Sequence, residues 1–362
     1  MKYIDEFRKR SAADGLIAKI KKIASKKVSL MEVCGTHTMA IFKYGIKNML
    51  PERVNLISGP GCPVCVTPQI DIVRAIAISK LPNVMLASFG DMMRVPGGNT
   101  SLENEKAKGR DIRIVYSPLD SLDIAKKNKD KRVVFLGVGF ETTSPSIAAT
   151  ILKAYDENIN NLFFLSCHKL IPPTMKALLS LGEVRVDGFI CPGHVSTLIG
   201  TIPYEFIAKD YNIPCVIAGF EPLDILQSIL MLLEQINEGK ALVKNQYTRC
   251  VKPEGNIKAM EILREVFEVS DSSWRGIGVI PKSGLKIREK YKNFDASAFE
   301  IEVEDIKEEE KGCICGNILR GINKPYDCKL FGKECTPLYP VGPCMVSTEG
   351  TCAAYYKYER RR

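Results

Sequence analysis

Val28-Ser-Leu-Met-Glu-Val-Cys34-Gly-Thr-His37 and, one helical stretch later, Val54-Asn-Leu-Ile-Ser58-Gly-Pro-Gly-Cys62-Pro-Val-Cys65 decide the fold. Each is a short β-branched or apolar run closed by a turn of Gly, Pro, Ser or Cys, then continued by a longer amphipathic stretch. That is a strand feeding a helix. The rhythm recurs from Lys27 to about Gly239, with further strands predicted at Val84 to Ser88, Ile112 to Tyr116, Val133 to Gly137, Phe163 to Ser166, Gly188 to Cys191 and Cys215 to Gly219. Together with Val28 to Val33 and Val54 to Ser58 these make eight βα units. A Lys/Asn/Asp-rich break at Lys126 to Lys131 splits them into two groups of four, although it can equally be an ordinary helix end. Eight units can also close into one barrel. The grouping favours two open, doubly wound parallel sheets, and in either architecture ligands bind at the carboxyl ends of the strands.

The chain has 362 residues, longer than the ~250 to 300 at which a single core stops growing. After about Lys240 the βα rhythm stops; this region holds the only tryptophan, Trp274, and an acidic-basic run from Glu300 to Lys311. The expected division is therefore 1–128, 129–240 and 241–362. Apolar residues are 45% and charged residues 26%, with no apolar stretch near the ~20 residues of a membrane helix. No signal-peptide core follows the charged N-terminus, so a cytoplasmic protein is expected. The formal charge of +9 is spread as alternating Lys and Glu, without a basic stripe or interleaved aromatics, and Arg360 to Arg362 read as a frayed end. Nucleic acid and membrane are not expected partners.

Thirteen cysteines in a cytoplasmic chain point to metal or redox chemistry rather than structural disulfides. Six of them, Cys313, Cys315, Cys328, Cys335, Cys344 and Cys352, fall within forty residues that hold too little apolar material for a conventional core. Their irregular spacing is unlike paired zinc ribbons. It suits an iron-sulfur cluster, whose irons take thiolates from separate loops, while zinc or disulfides are the alternatives. Spacing alone does not choose the ligands.

The three histidines, His37, His168 and His194, each lie within three residues of a cysteine, just past a predicted strand. A thiol beside an imidazole or a helix N-terminus can be held as thiolate. Cys62 and Cys65 form a C-x-x-C loop, a dithiol suited to exchange or metal capture, and thiolates at Cys34, Cys62 and Cys65 would suit a low-valent iron. Gly139-Phe-Glu141 and Gly219-Phe-Glu221 recur at matching places, as if the halves were related, with Glu141 and Glu221 candidates for proton transfer or for helix capping. Gly137-x-Gly139 lacks the rest of a dinucleotide fingerprint and no P-loop is present.

Cys34-Gly-Thr-His37-Thr38, Gly59-Pro-Gly-Cys62-Pro-Val-Cys65, Gly139-Phe-Glu-Thr-Thr143, Cys191-Pro-Gly-His194-Val-Ser196, Gly219-Phe-Glu-Pro-Leu-Asp224 and the cysteine-rich tail closely resemble the HypD family of hydrogenase maturation proteins. The resemblance covers nearly the whole chain. It implies two Rossmann-like domains facing a cleft and a third, C-terminal iron-sulfur domain. The family tail pattern selects Cys313, Cys328, Cys335 and Cys352 as ligands of a 4Fe-4S cluster, leaving Cys315 and Cys344 as a redox-active pair. It further implies a scaffold that works with the chaperone HypC on the Fe(CN)2CO group of NiFe hydrogenases, with Cys34 as the main ligand of the additional iron. Cyanide would come from HypE with HypF. On this reading His37 and His194 position ligands or supply protons. The rival from another class is a cluster-dependent thiol-disulfide oxidoreductase acting on a protein through Cys62 and Cys65.

Overall fold

The computed structural model describes residues 5–303 and 312–359. Arg360 to Arg362 and the acidic-basic run beyond residue 303 lie outside the described residues. The strands are β1 (Val28–Glu32), β2 (Val54–Ser58), β3 (Val84–Ser88), β4 (Ile112–Ile114), β5 (Arg132–Gly137), β6 (Leu162–Ser166), β7 (Gly188–Pro192), β8 (Cys215–Ala218), β9 (Val243–Asn245), β10 (Phe267–Trp274) and β11 (Gly278–Ile287). All eight strands expected from the βα rhythm are present within two residues of their predicted ends.

They form two parallel sheets, ordered β2-β1-β7-β8-β9 and β4-β3-β5-β6, and a separate antiparallel hairpin of β10 and β11. The single barrel is excluded, and the strands do not pair as two consecutive groups of four. β3 and β4 join β5 and β6, through registers such as Val84↔Arg132 and Leu86↔Ile112, so the chain leaves the first sheet after β2 and returns to it at β7. The charged break is the end of the Pro118–Lys127 helix and the loop into β5, inside one sheet. All five residues of β3 are buried, as expected of a parallel strand covered on both faces. β9 escapes sequence reading because it is only three residues long with Lys244 at its centre.

Both sheets share a winding order: the first strand is internal, the second lies to one side and the third to the other. Their topological switch points, where ligands bind in such sheets, therefore lie between β1 and β7 and between β3 and β5. One core packs between the sheets and runs on into the C-terminal segment, joining Leu86, Leu136, Phe189, Ile217, Trp274 and Ile318. A second lies behind the four-stranded sheet against the hairpin, and a third packs the Arg10–Ile23 and Pro222–Asn237 helices behind the five-stranded sheet. Among the described residues no helix is long and apolar enough to cross a membrane.

Candidate thiol and metal site

Cys34 follows β1 at the switch point of the five-stranded sheet and is the N-cap of the Gly35–Lys43 helix. Its backbone N–H donates to Glu32 Oε2 at 3.0 Å, and Thr38 Oγ1 donates to Glu32 Oε1 at 2.5 Å. The loop from β2 lies directly on this turn: Gly35 N donates to Gly61 O at 2.9 Å, and a Cβ on residue 61 would stand 2.1 Å from Cys34 N. Only glycine permits that approach. One residue on, Cys62 and Cys65 are joined in a disulfide, and Cys65 N donates to Cys62 Sγ at 3.2 Å. The C-x-x-C dithiol thus stands in its oxidised form, beside Cys34. Among the described residues no three His, Cys, Asp or Glu side chains are arranged as a single-ion site.

Cys34 is not paired with its neighbouring imidazole. Burial pushes its thiol up to about 12, against the opposing backbone N–H groups of His37 and Thr36. His37 Nε2 instead lies 3.0 Å from Gly219 O and 3.2 Å from Ala218 O, which makes it the donor nitrogen. Nδ1 is left buried and without a hydrogen-bond partner, and burial holds the ring neutral, with a pKa lowered to about 4. His37 and His194 both pack on Phe220, with ring centroids 4.8 and 3.9 Å away. His168 belongs to the other sheet, bonded through Nδ1 to Ser166 Oγ at 2.9 Å and packed on Phe267. Two of the three histidines therefore converge on the Cys34 side.

The recurring Gly-Phe-Glu motifs are not equivalent. Gly139 to Glu141 follow β5, the third strand of one sheet, whereas Gly219 to Glu221 follow β8, the fourth strand of the other. Glu221 caps the Pro222–Asn237 helix and pairs with Arg8 at 2.5 Å, a structural role. Glu141 Oε1 accepts from Ile171 N at 2.9 Å while Oε2 is buried without a partner. Burial raises the Glu141 carboxyl to about 7. The unfolded chain releases that proton near pH ~4.3, so between there and about 7 the folded state binds more protons and stability falls as pH rises. Glu141→Gln should remove this loss, gaining on the order of 2 kcal/mol relative to wild type between about pH 5 and about pH 8 in urea denaturation. Parallel stability curves for the two proteins would refute it.

The tail brings all six of its cysteines onto one small cavity, shared with Ile318, Leu330, Phe331 and Met345. Cys313 precedes the Cys315–Leu319 helix, Cys328 follows the Pro325–Asp327 turn, Cys335 accepts from Val341 N at 3.4 Å, and Cys352 lies in the Thr351–Tyr358 helix. Burial raises the Cys352 thiol well above its ordinary value, and the neighbouring sulfurs of Cys315, Cys335, Cys313 and Cys328 add to it. An apolar cavity ringed by thiols from separate loops fits an iron-sulfur cube, whose metal charge offsets the mutual repulsion of the thiolates. Cys315 and Cys344 are close neighbours there, with their sulfurs 2.7 Å apart.

The two sulfur centres meet. Cys65 Sγ lies 4.0 Å from Pro343 O, the residue before Cys344. At the tip of the β10–β11 hairpin, buried Arg275 donates to Val66 O through N at 2.9 Å and to Thr67 O through Nε at 3.0 Å, and its charge opposes, without reversing, the upward shift of the Cys315 and Cys344 thiols. From the other side Glu349, between Cys344 and Cys352, accepts from Thr36 Oγ1 at 2.5 Å, two residues from Cys34. Sequence reading missed Glu32, Phe220, Arg275 and Glu349 as parts of this assembly. Glu32 carried a local signal as a carboxylate at the end of a buried strand, and Phe220 as the centre of the Gly219-Phe-Glu221 motif; Arg275 and Glu349 carried none.

Fold and site together define an α/β thiol protein with a cysteine-lined C-terminal module. The family model described as "HypD: Hydrogenase formation hypA family" matches residues 11–359. The chain is 47% identical over 373 residues to hydrogenase maturation factor HypD2 of Bradyrhizobium diazoefficiens, covering 100% of this chain and 98% of that protein. It is 48% identical over 372 residues to hydrogenase maturation factor HypD of Azotobacter vinelandii (100% and 98% covered) and 46% identical over 370 residues to that of Rhodobacter capsulatus (99% and 98%). The chain belongs to the HypD family and is a hydrogenase maturation factor.

Proposed function

We propose that this maturation factor is the scaffold on which, together with a HypC chaperone, the Fe(CN)2CO group of NiFe hydrogenases is assembled in the cytoplasm. Cys34, at the carboxyl end of the five-stranded sheet, is the principal ligand of the cargo iron, and HypE, supplied by HypF, is the source of cyanide. The observation that carries this reading is the sulfur arrangement. Cys34 at the switch point is interlocked with the Cys62–Cys65 loop, which in turn abuts the Cys315/Cys344 pair in the tail cavity.

Cys34 is protonated in the free protein, so an arriving soft cation must displace the proton, and the buried thiolate then donates strongly to low-spin iron. His37 offers Nδ1 as an acceptor, and His194 lines the same wall. Glu141, at the strand end of the other sheet, is the candidate proton carrier there. Cys313, Cys328, Cys335 and Cys352 are the residues to hold a 4Fe-4S cluster, which would supply single electrons. Cys315 and Cys344 as a dithiol reduce the Cys62–Cys65 disulfide by exchange: two thiols form as one disulfide forms, with electrons and protons conserved.

The test is infrared spectroscopy with iron and acid-labile sulfide analysis on protein purified without air alongside its HypC partner. Cyanide and carbonyl stretching bands, and more iron than sulfide, are expected. Iron without those bands, together with turnover of a disulfide substrate, would favour the oxidoreductase instead.

A further inference from the structure

The turn from Thr336 to Val341 lies against the cysteine cavity and is braced on several sides. Thr336 N donates to Tyr339 O and Tyr339 N to Thr336 Oγ1, each at 3.2 Å. Val341 N reaches Cys335 Sγ at 3.4 Å, and Arg94 Nη2 donates to the carbonyl oxygens of Pro337 and Leu338. On this fixed turn the adjacent side chains of Leu338 and Tyr339 are 78% and 77% exposed. A scattered exposed leucine needs no explanation; two large apolar side chains held outward together beside a cluster thiol do.

Charge distinguishes the adjoining stretch of chain. The neighbouring loop between Cys328 and Cys335 exposes Lys329 and Lys333 against one acid, Glu334, and among the described residues neither lysine appears in an ion pair. Cys313 and Cys328 are the two cavity cysteines that are only partly buried, so this is where the cavity comes nearest to water. Elsewhere the cavity is covered: the Cys344 side faces the Cys62–Cys65 loop, and the Thr351–Tyr358 helix packs on the Gly35–Lys43 helix through Tyr355 and Phe42, 4.4 Å between centroids.

We propose that Leu338 and Tyr339, flanked by Lys329 and Lys333, are the docking surface for an acidic one-electron carrier protein that reduces the cluster. This rests on the cluster reading above. Regenerating one dithiol from its disulfide takes two electrons and two protons, and nothing in the chain is a source of electrons. An external donor must supply them. A carrier in its reduced form gives one electron to the cluster and departs oxidised, with no bond made or broken. Two such encounters, with two protons from solvent, convert one disulfide to two thiols. The apolar pair supplies contact area and the lysines steer an acidic partner.

The probe is a plant-type 2Fe-2S ferredoxin, acidic and one-electron, used with the full chain purified without air. Two quantities are read: the rate at which the reduced carrier bleaches the cluster's visible absorption, and the Kd of the oxidised carrier by calorimetry. Leu338→Ser with Tyr339→Ser, and separately Lys329→Glu with Lys333→Glu, should each slow bleaching and weaken Kd by about tenfold or more. Raising ionic strength from about 50 to about 300 mM should slow wild type but not the lysine variant. Dithionite, too small to need docking, should bleach all three proteins alike. Carrier rates and Kd untouched by both pairs of substitutions, with dithionite bleaching normal, would overturn the docking surface alone. A wild-type protein with no absorption for dithionite to bleach would overturn the cluster reading and the docking surface with it.

Discussion

Cys34→Ser should fold as wild type, leave iron and sulfide in the tail at the wild-type level, and carry no cyanide or carbonyl infrared bands when purified with the proposed HypC partner. The reasoning separates the two jobs of this residue. As the N-cap of the Gly35–Lys43 helix it sets the turn and is surrounded by backbone N–H groups, and serine is the better capping residue, worth up to ~1 kcal/mol over a non-capping side chain. The Glu32 bond is to the backbone N–H of residue 34 and is unaffected by the side chain. Stability should therefore hold or rise slightly by thermal denaturation. What serine cannot do is donate as a soft anion, since its hydroxyl is far weaker as an acid and as a ligand for low-spin iron. A variant with undiminished bands would remove Cys34 from the assembly chemistry.

How much of this arrangement can be read from the chain depends on the distance over which it is determined. The strands are legible because each is a local pattern: Val84-Met-Leu-Ala-Ser88 is buried at all five positions and reads as a continuous apolar run. Their partners are not. β1 pairs with β7 through Leu30↔Gly188, and Ser29 N donates to Asp187 Oδ2 across the same long interval, yet nothing near residue 29 encodes that return. The same holds for the site. Cys34 and the C-x-x-C loop are visible as motifs, while their interlocking depends on Gly61 fitting where no other residue can. Closeness in sequence also misleads about direction. His37 is one turn beyond Cys34 but its ring is turned to the carbonyls at the end of β8, and His168 beside Cys167 serves the other sheet. The Gly-Phe-Glu repeat misleads similarly: Glu221 caps the helix that follows it, Glu141 instead accepts from Ile171 N, and neither motif reports the rank of its strand in the sheet.

The double variant Cys315→Ser, Cys344→Ser should leave Cys62 and Cys65 locked as a disulfide under conditions in which wild type reduces it. Both sulfurs are buried, 2.7 Å apart, and serine at either position keeps volume and hydrogen bonding close to the original, so gross collapse of the tail is not expected. The path to the strand-end site is short, because Pro343, next to Cys344, touches Cys65, and Arg275 ties the hairpin tip to Val66 and Thr67. Exchange needs a thiolate to attack a disulfide sulfur, and Cys344 is the tail cysteine whose neighbour, Pro343, touches Cys65. After incubation with a reductant that acts through the cluster, alkylation and mass spectrometry should find Cys62 and Cys65 unlabelled in the double variant and labelled in wild type. Hydrogenase maturation should slow by about tenfold or more, as expected when a thiol relay is cut. Labelling and maturation at wild-type levels would end the case for electron delivery from the tail to the Cys34 pocket through these two cysteines, and Cys62 and Cys65 would then have to be reduced directly from solution.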